Sequence, residues 1–108
     1  MSEAGLRLLG LGVRAGTVVV GTSGVRQALQ QGRVVLVVLA GDYARRTDEK
    51  VGRLARARGV PVLMGPPASE LGKRLGRTAV QAVGVQDRRL AAEIKAGKTL
   101  NEEQGTSK

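Results

Sequence analysis

Short apolar runs alternate with amphipathic stretches along most of the chain. The runs at 17–20, 34–39, 60–64 and 79–85 are rich in valine, leucine and alanine, and they predict strands. The run at 34–39 contains no polar residue, which indicates a central strand that is covered on both faces. Four such runs predict a sheet of about four strands.

The stretches between these runs carry apolar residues at helical spacing, which predicts five helices. Their inward faces hold Leu6, Leu9 and Val13, then Val25, Ala28 and Leu29, then Val51, Leu54 and Ala55, then Leu71 and Leu75, and finally Leu90, Ala91 and Ile94. A glycine follows each of the first four stretches, and we expect it to end the helix. The order α-β-α-β-α-β-α-β-α, with short connections, predicts an α/β fold with helices on both sides of the sheet.

A length of 108 residues allows one compact core. We predict a single domain over 1–96 and a polar, flexible tail over 97–108. The longest apolar run, 34–40, is far shorter than the roughly 20 residues that cross a bilayer, and the first three residues are not a basic signal segment. The expected location is the cytoplasm, without membrane contact.

The chain has 18 Lys and Arg against 9 Asp and Glu, which gives a formal net charge of +9. Such an excess favours polyanionic partners, because basic side chains neutralise phosphates and release their counterions. Cysteine and histidine are absent, so typical zinc sites and imidazole-based catalysis are excluded, and the acids are too scattered for paired-carboxylate chemistry. The composition predicts a nucleic-acid binder that is not an enzyme and needs no cofactor or metal.

Two segments are candidates for contact with a nucleic acid. The small residues at 21–24 lie between a strand and a helix and would expose backbone N–H groups to an anion, although ordinary capped turns have the same composition. The apolar segment 62–66 could pack on an extruded nucleotide or could simply connect a strand to a helix. Tyr43 is the one aromatic residue, so an aromatic stacking platform is excluded. Taken alone, each segment favours the structural interpretation, namely a capped turn at 21–24 and a simple connection at 62–66.

Short motifs in a fixed order carry a family resemblance from Leu6 to Ile94. They are Leu8-Leu9-Gly10-Leu11 with Arg14-Ala15-Gly16, Gly21 with Ala28 and Gly32, the run 34–40 with Asp42, Val60-Pro61-Val62, and Leu71-Gly72-Lys73-Arg74-Leu75-Gly76. In these features the chain resembles the ribosomal proteins seven-Ae and thirty-e, which bind kink-turns in RNA, and above all their ribosome-associated bacterial relatives of the YlxQ type. The resemblance implies a three-layer α/β/α sandwich with a mixed sheet. It also implies structured RNA as the partner, namely ribosomal RNA or another RNA that contains a kink-turn, together with ribosomal proteins.

The resemblance further implies an RNA site at the turn into the second helix and in the loop after Val60-Pro61-Val62. The RNA-binding residues predicted on this basis are Gly21, Thr22, Ser23, Gly24, Arg26, Gln27, Gln31, Arg33, Leu63, Met64, Gly65 and Pro66. Members that bind kink-turns read tandem G·A pairs with Asn, Glu and Lys at the start of this helix. Ser23, Gly24 and Gln27 occupy those places here, so we expect fewer base contacts.

The predicted function is therefore a non-catalytic binder of structured, kink-turn-like RNA that associates with ribosomes or other ribonucleoproteins. Two alternatives stay open at this point. The domain could be an adaptor that binds another protein through its apolar loop or an exposed helix. It could also be an RNA-specificity subunit of an RNA-modifying enzyme, because related sandwiches are appendages of RNA methyltransferases.

Overall fold

The computed structural model describes residues 1–96, in which helices and strands follow the predicted order; the predicted tail, 97–108, lies outside the described residues. The elements are α1 (Glu3–Ala15), β1 (Val18–Val20), α2 (Thr22–Gln30), β2 (Leu36–Leu39), α3 (Arg45–Thr47), a π-helical segment (Asp48–Gly52), α4 (Arg53–Ala57), β3 (Val62–Met64), α5 (Ala68–Arg74), β4 (Ala82–Val85) and α6, which covers 88–96. Each strand begins slightly later than its apolar run. At β3 the reason is that Val60 N donates to Ala55 O at 2.8 Å and so completes the end of α4 instead of joining the sheet.

The four strands form one mixed sheet in the order β1-β4-β2-β3. β2 is parallel to β3, whereas β4 is antiparallel to both β1 and β2. The register places Leu39 opposite Met64 on one side and Ala82 on the other. The carboxyl ends of β1, β2 and β3 therefore meet the amino end of β4 at one end of the sheet, which we call the near end. The opposite end is the far end.

Helices cover both faces of the sheet, which separates two apolar clusters. On one face α1, α5 and α6 pack through buried residues that include Leu9, Leu71 and Ile94. On the other face α2, the π-helical segment and α4 pack through residues that include Val25 and Val51. All four residues of β2 are buried, as its uninterrupted apolar sequence predicts. This arrangement confirms the predicted α/β/α sandwich with a mixed sheet.

The helix predicted over 44–58 is not uniformly α-helical, because its middle is the π-helical segment Asp48–Gly52. The Asp48 carboxylate lies over this segment and accepts a hydrogen bond from Arg56 Nη1 at 2.9 Å. A side chain at Gly52 would collide with that carboxylate. The wider π-helical turn therefore coincides with Gly52, whose missing side chain leaves room for the Asp48 carboxylate. Val51 and Ala55, on the inner side of this region, are fully buried.

Candidate nucleic-acid interface

The two segments predicted to contact RNA both lie at the near end of the sheet. Beyond β1, Gly21 N donates to Ala82 O at 2.9 Å, which fixes the turn into α2 beside β4. Beyond β3, Gly65 N donates to Leu39 O at 2.7 Å, which fixes the following loop beside β2. Because β4 and β2 lie between the segments, three strand spacings separate them, a distance of about 14 Å.

The turn into α2 presents backbone donors. Gly21 has a φ of +106°, a conformation that favours glycine, and no side chain caps the helix. Val25 N donates to Gly21 O at 3.0 Å, but the N–H groups of Thr22, Ser23 and Gly24 have no acceptor within residues 1–96. The positive end of the helix dipole adds to these donors, so an anion is favoured at this position.

The side chains of Ser23 and Gln27 are exposed and lie one turn apart on the same side of α2. Gly24 faces the sheet instead, since a Cβ there would lie 2.9 Å from Val19 Cγ1. A larger residue at this place would require β1 or its side chain to shift. The glycine therefore permits the close packing of α2 on β1, while Ser23 and Gln27 are left to make hydrogen bonds with a partner.

Arg26 lies on α2 beside the π-helical segment. Its Nη1 donates to Lys50 O at 2.9 Å, which fixes the guanidinium at the edge of the helix pair. A guanidinium has five N–H donors, so this bond leaves the remaining ones for other acceptors. Arg26 can therefore contact a phosphate without giving up its structural bond.

The loop after β3 is tied to the end of β2 by two hydrogen bonds. Gly41 N donates to Pro66 O at 2.9 Å, and Asp42 Oδ1 accepts a bond from Ala68 N at 2.7 Å. Met64 is the last residue of β3, just before this loop, and 46% of its surface is exposed. The end of β3 thus presents an apolar side chain beside a fixed loop. This position is suited to packing against an unstacked base.

Residues between the two segments complete the near end, and the sequence did not identify them as part of the site. The Gln81 side chain accepts hydrogen bonds from Ala44 N at 2.7 Å and from the buried Thr47 hydroxyl at 3.0 Å. These bonds fix the start of α3, where Arg45 and Arg46 are exposed. The sequence does contain a feature that points to Arg45 and Arg46, because both follow the central strand and ligands of α/β proteins bind beyond the carboxyl ends of strands.

The structure does not bring all the predicted residues together. Gln31 is the C-cap of α2 and Arg33 follows it, so both lie at the far end, about 14 Å from the start of the helix. Leu63 is half-buried and packs against the cluster of α1, α5 and α6. The other predicted residues, 21–24, Arg26, Gln27 and 64–66, lie at the near end.

Ion pairs engage several basic side chains away from this interface. Arg53 and Arg56 both pair with Asp48, and the hydrogen bond with that carboxylate raises the pKa of Arg56. Arg74 Nη1 donates to Glu3 Oε1 at 2.9 Å; this bond lowers the pKa of Glu3 and raises that of Arg74. Pairing therefore makes these arginines part of the scaffold.

Residues 1–96 contain no group of acidic side chains that is placed to share a metal ion. The helices in this part of the chain also fall short of the length and apolarity that a membrane span requires.

Solved structures of similar shape come from a bacterium and a protist. A protein of unknown function from Bacillus halodurans matches with a TM-score of 0.80 at 29% sequence identity, over 88% of this chain and 96% of that chain. The 15.5kD RNA binding protein of Giardia lamblia matches with a TM-score of 0.68 at 22% identity, over 86% of this chain and 82% of that chain. At that identity the second match shows a shared fold. A comparison with curated proteins gave no match.

A protein-family model matches residues 3–95, which include every helix and strand described above except the last residue of α6. The family is described as ribosomal protein L7Ae/L30e/S12e/Gadd45. The match confirms the resemblance that the sequence motifs predicted. The chain therefore belongs to the ribosomal protein L7Ae/L30e/S12e/Gadd45 family.

Proposed function

We propose that the chain is a non-catalytic RNA-binding protein that holds a kinked RNA at the near end of its sheet. One observation carries the proposal: the unbonded N–H groups at the start of α2 and the fixed apolar loop after β3 lie about 14 Å apart on the same end of the sheet. The net charge of +9, the family and the shared fold with an RNA-binding protein of Giardia lamblia support it.

The start of α2 is suited to the RNA backbone and to nearby base edges. The N–H groups of Ser23 and Gly24 would donate to phosphate oxygens. The Ser23 hydroxyl and the Gln27 amide can each donate and accept, so they would contact base edges. Arg26 would add a charge-assisted bond to phosphate.

The loop after β3 supplies the complementary apolar contact. Met64 is exposed and flexible in its side chain, and Pro66 lies two residues on, held by its bond to Gly41 N. A base turned out of the stack would lie against this surface. Arg46, at the start of α3, extends the phosphate-binding surface between the two segments, and the neighbouring Arg45 is paired with Glu49 at 3.5 Å.

Selectivity for one kind of kink is expected to be modest. Because Gly24 supplies no side chain, one of the base-reading contacts of kink-turn-binding members is missing. A good base contact is worth about 1–3 kcal/mol of discrimination, so its loss reduces the preference for tandem G·A pairs by roughly 5- to 150-fold. Recognition would then depend mostly on the shape of the RNA backbone.

A titration at fixed salt tests the interface. Gln27→Ala and Ser23→Ala should each weaken binding of a short kink-turn RNA by about 1 kcal/mol, since each removes one hydrogen-bonding side chain. Gln30→Ala is the matched control, because Gln30 is an exposed glutamine at the other end of α2 and should leave the affinity within about twofold. Equal affinity of the unmodified chain for kinked RNA and for plain duplex would reject the proposal.

We further propose that the RNA is ribosomal or belongs to another ribonucleoprotein, and that binding takes place in the cytoplasm. Crosslinking in cells followed by RNA sequencing would identify the RNA. Nuclease treatment of captured complexes provides the control: loss of all partners supports the RNA role, whereas partners that persist favour a protein adaptor. Turnover of an RNA substrate by the purified chain would contradict the non-catalytic assignment.

A further inference from the structure

The far end of the sheet carries a second basic surface that the near-end site does not use. Arg33, which follows α2, and Arg88, the first residue of α6, line one shallow depression of about 380 Å³. Gly32, Val35 and Gln86 complete its lining. We call these five residues the far-end surface.

The described residues, 1–96, supply no carboxylate that pairs with the arginines of this surface. Within residues 1–96, neither Arg33 nor Arg88 takes part in an ion pair, whereas Arg53, Arg56 and Arg74 do. Asp87 lies next to Arg88 in sequence, but its Oδ1 accepts a hydrogen bond from the backbone at the start of α6, at 2.9 Å. Two exposed guanidinium groups therefore line one depression, and no acceptor in the described part of the chain occupies their donors.

Helix stability does not account for Arg88, because a cation in the first turn of a helix is repelled by the positive end of the helix dipole. Arg58 adds a further positive charge at the carboxyl end of α2. Its Nη1 donates to Leu29 O at 3.0 Å and to Gln30 O at 3.3 Å, so its guanidinium is fixed at the helix end that Arg33 follows. The two arginines that line the depression favour an anion with several oxygens.

The two ends of the sheet are far enough apart to bind separate partners. Gln81 and Gln86 flank the four residues of β4, and the five steps of extended chain from one to the other span about 17 Å. This distance exceeds the Debye length of about 8–10 Å at physiological salt, so charges at one end have little influence on the other. A single phosphate group cannot touch both ends.

We propose that the far-end surface binds the phosphate backbone of a second RNA segment, so that one molecule connects two RNA elements through opposite ends of its sheet. The connecting role depends on the proposed function of the near end, whereas phosphate binding at the far end does not. Arginine forks match phosphate oxygens, Gln86 adds an amide donor, and no aromatic side chain is present for base stacking. The far end therefore binds RNA without reading its sequence.

The experiment compares binding of a short plain RNA duplex and of a short kink-turn RNA by the full chain. Arg33→Gln with Arg88→Gln removes two far-end charges. Arg7→Gln with Arg77→Gln is the matched control, because both residues are exposed and have no ion pair within residues 1–96. Thermal unfolding of each variant shows that it is folded.

We expect the far-end variant to bind plain duplex at least about 10-fold more weakly than the unmodified chain. Because two phosphate contacts are lost, the slope of the logarithm of affinity against the logarithm of salt concentration should become shallower by about 2. The control variant should change duplex affinity less than threefold. The far-end variant should bind the short kink-turn RNA as before, while losing the ability of the unmodified chain to join a labelled kink-turn RNA to a labelled duplex.

Equal losses of duplex affinity in the far-end and control variants would overturn the assignment, since net charge alone would then explain the effect. The assignment would also be overturned if a polyglutamate peptide bound the unmodified chain as tightly as the duplex does and lost as much affinity in the far-end variant. If the unmodified chain binds plain duplex through the far end but does not prefer kinked RNA, the near-end function fails while the far-end surface stands.

Discussion

Alanine at position 24 tests how closely α2 packs on β1, and with it why this place in the interface lacks a side chain. A Cβ at Gly24 would lie 2.9 Å from Val19 Cγ1, a separation that real Cβ atoms essentially never show. Val19 is half-buried and β-branched, so its methyl group cannot turn aside without leaving its preferred rotamer. Overpacking of this kind costs about 1–3 kcal/mol.

The same substitution has a favourable effect on the helix itself, because alanine is better than glycine inside a helix by up to about 1 kcal/mol. Because the overpacking cost exceeds this gain in helix propensity, we expect Gly24→Ala to lower the free energy of unfolding by about 1 kcal/mol. In a Val19→Ala background the clashing methyl group is gone, and Gly24→Ala should instead raise the free energy of unfolding by about 0.5–1 kcal/mol. The coupling between the two positions is then about 2 kcal/mol.

Urea denaturation of the four chains of this double-mutant cycle measures the coupling, provided that the denaturant slope stays constant. Gly10→Ala in α1 is the control, since its Cβ would meet only Arg74 O, at the ordinary distance of 3.9 Å. It should stabilise the chain by up to about 1 kcal/mol. If Gly24→Ala stabilises the unmodified chain as much as it stabilises Val19→Ala, the close packing of α2 on β1 is refuted.

Three further changes test the scaffold. Gly72→Ala should destabilise the chain by about 3 kcal/mol, because its Cβ would lie 2.6 Å from Ala79 Cα, in backbone that cannot turn aside; urea denaturation showing a loss below about 1 kcal/mol would contradict this. Gln81→Ala removes the acceptor shared by two donors at the start of α3 and should cost about 1–3 kcal/mol; unchanged stability in the same assay would show that the bonds are dispensable. The bond from Arg74 lowers the pKa of Glu3, so its contribution to stability is present above the unfolded value of 4.5 and is lost as the pH falls through the lower folded value. Glu3→Gln should therefore flatten the acid limb of a stability-against-pH curve, and identical limbs would refute that role.

Apolar periodicity predicted the order of the helices and strands because burial imposes it directly. Val25 and Leu29 are fully buried one helical turn apart, and the unbroken apolar run of β2 is buried on both faces. The π-helical segment could not be predicted in this way. It coincides with contacts of the Asp48 carboxylate with Arg56 and with the space at Gly52, and such contacts leave no trace in the spacing of apolar residues.

The candidate site was predictable where backbone chemistry marks it. Gly21 has a positive φ and begins an uncapped helix, and a strand-to-helix turn of small residues is the sequence signal for that geometry. The family resemblance predicts Gln31 and Arg33 as part of this site, but a helix advances about 1.5 Å per residue, so nine residues carry the chain to the far end. Gln81 escaped prediction because only the strand order brings it next to Ala44.

The position of β4 explains how one small domain can carry the two proposed binding surfaces at opposite ends of its sheet. β4 returns antiparallel between β1 and β2, so the residues that flank it, Gln81 and Gln86, lie at opposite ends of the sheet. Gln81 is bound by the protein and holds the start of α3, whereas the side chain of Gln86 makes no hydrogen bond within residues 1–96 and lines the far-end depression. The strand between them is fully buried and paired on both sides, which makes it a rigid spacer. Binding at one end therefore requires no movement at the other, and the two ends can act on separate RNA segments at a fixed distance.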